Sequence, residues 1–183
     1  MIRATIAMSP LAILTRAVSL LSLIFAIVGG AGILAIMAMI NSDVIGRAAF
    51  ASPVPATAEI VSASIVAIVF LQLPLAIQSG RAIRSDMFID RVHSRSPRAG
   101  NALDFLHHLV GAALFGILVY YLWPELMATI TRHRTVGLHG IFVLPRWPFT
   151  LCVFIGVVLA TLQYILLTMA HAQRALRGER AHE

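Results

Sequence analysis

The chain has 183 residues, 59% hydrophobic and only 12% charged, whereas soluble domains carry about 45–50% apolar and about 25% charged residues. Its net charge is +6 and all of its 14 cationic Lys/Arg positions are arginine. That apolar excess excludes an ordinary soluble domain, and the arginines flank apolar runs rather than forming one basic face, which excludes a nucleic-acid-binding role.

Four stretches without a formal charge match the thickness of a bilayer: residues 17–40, 60–80, 105–124 and 147–170. About 20 apolar residues cross the hydrocarbon as a helix, with every backbone polar group satisfied internally. The expectation is an all-α integral membrane protein, a bundle of four transmembrane helices in one membrane domain over residues 1–183. The first run is too long for the roughly 7–15-residue apolar region of a cleavable signal, so it reads as an uncleaved helix.

Span one holds Gly29, Gly30 and Gly32 near its middle. Small residues let membrane helices approach closely, so these glycines fit internal packing or a docking face for another subunit. Residues 41–57 read as a loop, extended at Pro53 and Pro55. Thr57 is placed to cap span two, and Glu59 falls in its first turn, where a carboxylate complements the helix dipole or meets a partner's arginine. Within span two, Ala63 and Ala67 are packing positions and Pro74 predicts a kink near the end.

The connecting segment 80–100 reads GRAIRSDMFIDRVHSRSPRAG. Gly80 can end span two, and Ser85 or Asp86 can cap a short helix over residues 87–92. Arginines beside apolar side chains suit a helical segment lying in the headgroup region. Asp86 among arginines points to an ion-pair network.

Ser96 and Pro97 give span three a cap and a first-turn proline. Ala112 and Gly116 form another small-residue pair, and Tyr120, Tyr121 and Trp123 make an interfacial aromatic belt. Pro124 predicts a kink, with Glu125 at the water boundary. Residues 127–146 read as a second loop, basic and apolar by turns. Trp147 anchors the start of span four, Gly156 and Ala160 give it a small face, and Gln163 is a mid-depth amide that seeks a partner. Cys152, the sole cysteine, lies inside this span and reads as packing.

Arg3, Arg16, Arg81, Arg84, Arg91, Arg95, Arg98, Arg174, Arg177 and Arg180 fall on one side of the four spans, and Arg47, Arg132, Arg134 and Arg146 on the other. The positive-inside bias places both termini in the cytoplasm. No span carries a charge near its centre, where ion and proton pathways need one. Phosphate-loop, HExxH and nucleophile-elbow motifs are missing from the sequence. The chain therefore reads as an accessory membrane subunit, not an enzyme, and no cofactor or metal site is expected.

A set of residues carries a family resemblance. Thr57-x-Glu59 precedes span two, and Gly80-Arg81-x-Ile83-Arg84-x-Asp86-Met87-x-Ile89-Asp90-Arg91 follows it. Trp123-Pro124-Glu125 ends span three, and Leu144-Pro145-Arg146-Trp147 precedes span four. This order, over about residues 15–175, resembles the small permease subunit of tripartite ATP-independent periplasmic (TRAP) transporters. The resemblance implies a bacterial inner-membrane scaffold for a large permease subunit that holds the substrate and sodium sites. It also implies a periplasmic solute-binding protein that delivers an organic acid or similar solute. Glu59, Gly80, Arg81, Ile83, Arg84, Asp86, Arg91, Glu125, Pro145 and Trp147 would then be partner-contact or bracing residues. Two positions depart from the family pattern: Ile155 stands where a proline often precedes Gly156, and Pro148 where a second aromatic often follows Trp147.

Two rival readings arise from the residues. One is a haem- or quinone-binding membrane anchor of a redox complex: His107 or His108 opens span three and His171 closes span four, so one of each could ligate a haem iron, which a Soret band would mark. The other is a self-sufficient exporter, which lacks the intramembrane carboxylate that proton coupling needs.

Overall fold

The computed structural model describes residues 10–79, 97–138 and 142–177. Four long helices follow the four apolar runs: α1 (Pro10–Phe50), α2 (Thr57–Gln78), α3 (Pro97–Thr131) and α4 (Trp147–Arg177). Each is long and apolar enough to cross a membrane. The expected interfacial helix after span two lies outside the described residues. Between α3 and α4 stands a two-stranded antiparallel hairpin, β1 (Thr135–Leu138) and β2 (Phe142–Pro145), with Thr135 opposite Pro145 and Leu138 opposite Phe142.

The four spans do not close into the expected bundle. α1 packs on α2, α2 on α4, and α4 on α3, which sets the helices in an open row with α1 and α3 at its two ends. The most apolar windows of α1 and α3 are each only 6% buried, against 28% for α2 and 39% for α4. A helix apolar all round has no solvent face to shed in lipid, so nothing forces the end helices together.

Small residues fix the three contacts. A Cβ on Gly32 would lie 2.9 Å from Ile68 Cδ1, and one on Gly29 3.0 Å from Gln72 Cγ, so α1 and α2 run antiparallel at close range. The Gln78 amide donates to Ser19 Oγ at 2.7 Å and ties the same pair near the end of α2. A Cβ on Gly156 would strike the Phe70 carbonyl, so the α2 and α4 backbones touch there. Gly111 faces the Tyr164 ring, 2.6 Å from a built Cβ, and Tyr164 stacks on Phe115. α4 also meets α1 through Val18, Leu159 and Leu166, with Phe25 and Ile155 packed beside them. Away from that contact an apolar cleft of about 310 Å³ opens between α1 and α4, floored by Ile60, Ser64 and Ala67 of α2.

Three boundaries differ from expectation. Residues 41–50 continue α1 as helix, where a loop was read. The cap of α2 is Ala56, in left-handed backbone with no side-chain hydrogen bond, and Thr57 instead donates to the Val54 carbonyl at 2.9 Å. α3 runs on past Pro124 to Thr131. The cause of the first two is Asp43. Its Oδ1 accepts the Val54 amide at 2.9 Å and its Oδ2 the Arg47 guanidinium at 2.6 Å, so the last turns of α1 hold the link to α2 against the helix. Pro53 and Pro55 offer no amide hydrogen, which leaves Val54 as the donor between them.

Candidate functional site

The side of the molecule that carries the hairpin holds two ion pairs among the described residues. At one place Asp43 pairs with Arg47, and the Asp43 side chain is almost wholly buried. At another, Arg134 Nη1 donates to Glu125 Oε1 at 2.8 Å, an ion pair whose partners are both 40% exposed. The Arg134 amide donates to the Thr129 carbonyl at 3.3 Å, and the Arg146 amide to the Arg134 carbonyl at 2.9 Å. These bonds seat the hairpin on the end of α3 and lead it directly into α4. β1 in turn packs against α2. His133, at the turn after α3, has left-handed backbone at φ 46°, the sharp reversal that the hairpin's start requires.

The family-motif residues separate by location. Glu125 is an ion-pair partner, Pro145 the last residue of β2, and Trp147 the first residue of α4, 45% exposed. Pro148 sits in the first turn of α4, where a helix needs no amide hydrogen, so the departure from the family pattern is compatible with the helix. Glu59 lies half-buried in the first turn of α2, and its carboxylate has no ion-pair partner among the described residues. Gly80, Arg81, Ile83, Arg84, Asp86 and Arg91 lie outside the described residues, and so does the proposed ion-pair network around Asp86.

The small residues divide by what they face. Gly29, Gly32 and Gly156 meet neighbouring helices of the same chain, whereas Gly30 and Gly116 have nothing within 4 Å of a built Cβ. Ala112, beside Gly116 on α3, is half-buried. Gly111, which spacing alone did not single out, makes the α3 contact with α4 that Gly116 does not.

Histidines and the mid-depth amide have unequal surroundings. His108 is buried at 2% exposure with its ring centroid 6.2 Å from that of Tyr164, whereas His107 points outward. The His171 side chain lies outside the described residues. No cluster of three or more metal-ligating side chains occurs among the described residues. Gln163 is buried, and its Nε2 has no hydrogen-bond partner among the described residues. Its spacing from Leu159 and Leu166 puts it on the apolar face that α4 turns toward α1. Cys152 is half-buried on the wall of the cleft.

Four arginines, Arg47, Arg132, Arg134 and Arg146, fall on the hairpin side of the four spans. Arg47 and Arg134 are held in ion pairs, while Arg132 and Arg146 are exposed and without a carboxylate partner among the described residues.

No curated protein and no solved structure matches the chain. A family profile described as "Tripartite ATP-independent periplasmic transporters, DctQ component" matches residues 36–174, well over half of the sequence. The four membrane-spanning helices and this match together place the chain in the DctQ family, as a small membrane subunit of tripartite ATP-independent periplasmic transporters.

Proposed function

We propose that the chain, acting as a single membrane domain, braces the large permease subunit while that subunit moves solute. The coupled system takes up an organic acid or similar small solute with sodium, delivered by a soluble periplasmic binding protein. The subunit sits in the bacterial inner membrane with both termini in the cytoplasm, as the arginine bias favours. The supporting observation is the open row of helices. An isolated helical unit that worked alone would enclose its polar path, but here few residues in the apolar windows of α1 and α3 are buried. The Asp43–Arg47 and Glu125–Arg134 ion pairs lie toward the hairpin side, and no charged side chain stands mid-span in α1 to α4. Such a unit offers breadth for packing and, among the described residues of its spans, no charged group at mid-depth to grip a charged solute.

Gly30 and Gly32 test the reading. Gly30→Leu meets open space within this chain, so the subunit should retain its own stability in detergent but lose co-purification with the large subunit. Gly32→Leu should instead destabilise the α1–α2 pair itself. If Gly30→Leu co-purifies in full yield and supports normal uptake, the bracing face does not include it. Transport by this chain alone in liposomes would end the scaffold reading.

A further inference from the structure

We propose that Gln72 of α2 is the seat for a hydrogen-bonding side chain on a transmembrane helix of the large permease subunit, and that this helix lies in the groove between α1 and α2. The inference rests on the functional reading above and gives it a contact face and a chemistry.

The two glutamines of α2 have different fates. The Gln78 amide is satisfied by Ser19 across the α1–α2 contact. Gln72 lies deeper, within the uncharged run 60–80 and against Gly29, near the middle of span one. A Cβ built on Gly29 would lie 3.3 Å from the Gln72 Nε2, so the amide rests in the space that this glycine leaves open. Gln72 is only half-buried, and its amide makes no hydrogen bond among the described residues. A carboxamide both donates and accepts. In hydrocarbon it has no solvent to bond it, and leaving it bare is costly.

The surface around the amide is a groove. Ala26 of α1 and Val69, Gln72, Ala76 and Ser79 of α2 line a space of about 620 Å³. Val69, Gln72 and Ala76 fall on one face of α2 by their spacing, and Val69 is 56% exposed. From Val69 to Ser79 the α2 wall rises about 15 Å, half of the roughly 30 Å hydrocarbon core. On α1, Gly30 follows Ala26 by one turn on the same face and has nothing within 4 Å of a built Cβ. A neighbouring backbone can therefore come close to α1 beside the amide.

These features discriminate among occupants. A lipid chain fills the groove but offers the amide neither donor nor acceptor. A helix that carries Ser, Thr, Asn or Gln at the depth of Gln72 satisfies it, and such cross-helix bonds join helices in membranes. A second copy of this chain is the rival, with Gln72 facing Gln72 across a twofold axis. Membership in a family of tripartite transporters favours a different chain.

The test uses the full-length small and large subunits purified together in detergent. Gln72→Met keeps the length of the side chain and its packing on Gly29 while removing the amide. It should weaken association of the two subunits by roughly three- to twentyfold in Kd, the range of interhelical hydrogen bonds in membranes. The thermal midpoint of the isolated small subunit should stay the same or rise. A photo-crosslinking phenylalanine analogue in place of Val69 should form an adduct with the large subunit. An unchanged Kd overturns the proposal. A fall in the midpoint of the isolated subunit that matches the loss of association also overturns it, because the amide then acts within this chain. Adducts with a second small subunit, or with lipid alone, do the same. If the wild-type chain associates with no large subunit, the functional reading itself fails first; if it associates while Val69 gives no adduct with that subunit, only this face fails.

Discussion

Asp43 shows how one side chain can relocate a boundary. It was not singled out in the sequence because an acid near a helix end, followed by Arg47, reads as a solvated i,i+4 pair. The structure adds the Val54 amide as a second ligand, reached only because the chain turns back after Phe50. Asp43→Ala should therefore free residues 51–56, seen as faster hydrogen exchange at Val54 with α2 and α4 unaffected; unchanged exchange would show that the prolines hold the link unaided. Gly156 makes the opposite kind of prediction. Any side chain there meets the Phe70 backbone, which has no rotamer with which to yield, so Gly156→Ala should cost about 1–3 kcal/mol in a detergent-unfolding assay. Gln163 is a candidate for gain. Replacing a buried amide that lacks a partner by Leu should raise stability by about 1 kcal/mol, and lost stability would mean that the amide is satisfied in the membrane.

Among the elements, the helices were readable and the hairpin was not. Twenty apolar residues without a charge admit few alternatives, so α2 begins and ends within a few residues of the expected run. Each strand is four residues long, too short for alternation to register, and β2 ends in Pro145. What makes them strands is the closure of Arg146 onto Arg134 and the anchoring of Arg134 to Glu125. An exposed ion pair contributes only about 0.2–1 kcal/mol. Glu125→Gln should thus leave the four spans intact while increasing hairpin mobility, read as a larger fluorescence change at Trp147 than at Trp123. Equal changes at both tryptophans would locate the effect in α3 instead. α1 illustrates length without function assigned: its 41 residues span about 60 Å, twice the roughly 30 Å hydrocarbon core, so its final turns extend beyond the apolar layer or the helix tilts.

Across the molecule, the proposed bracing role rests on the open row of helices in the DctQ chain. α2 and α4 form its packed middle and α1 and α3 its exposed ends. Lipid supplies no hydrophobic gain when such ends meet a partner, so shape and small residues must provide it. Gly30 on α1 and Gly116 on α3, both facing open space, are positions where a partner helix could approach. Bulky substitutions at both should disrupt the complex more than either alone, measured as the ratio of large to small subunit after affinity capture. A combined loss no greater than that of one substitution would mean that only one end is covered.

Charge, length and apolar runs were enough to indicate a membrane protein and the number of its spans, because the hydrocarbon core penalises any other use of uncharged stretches of that length; the family came from motif residues, as a resemblance, and from the profile match over residues 36–174. Helix order in the row was not available in the same way. In lipid every apolar helix face is equally acceptable to the solvent, so no amphipathic stripe announces which neighbour it will meet. That choice depended on a few close approaches, Gly32 to Ile68, Gly156 to Phe70 and Gly111 to Tyr164. Such pairings depend on atoms brought together from distant parts of the chain, and they exist only once it has folded.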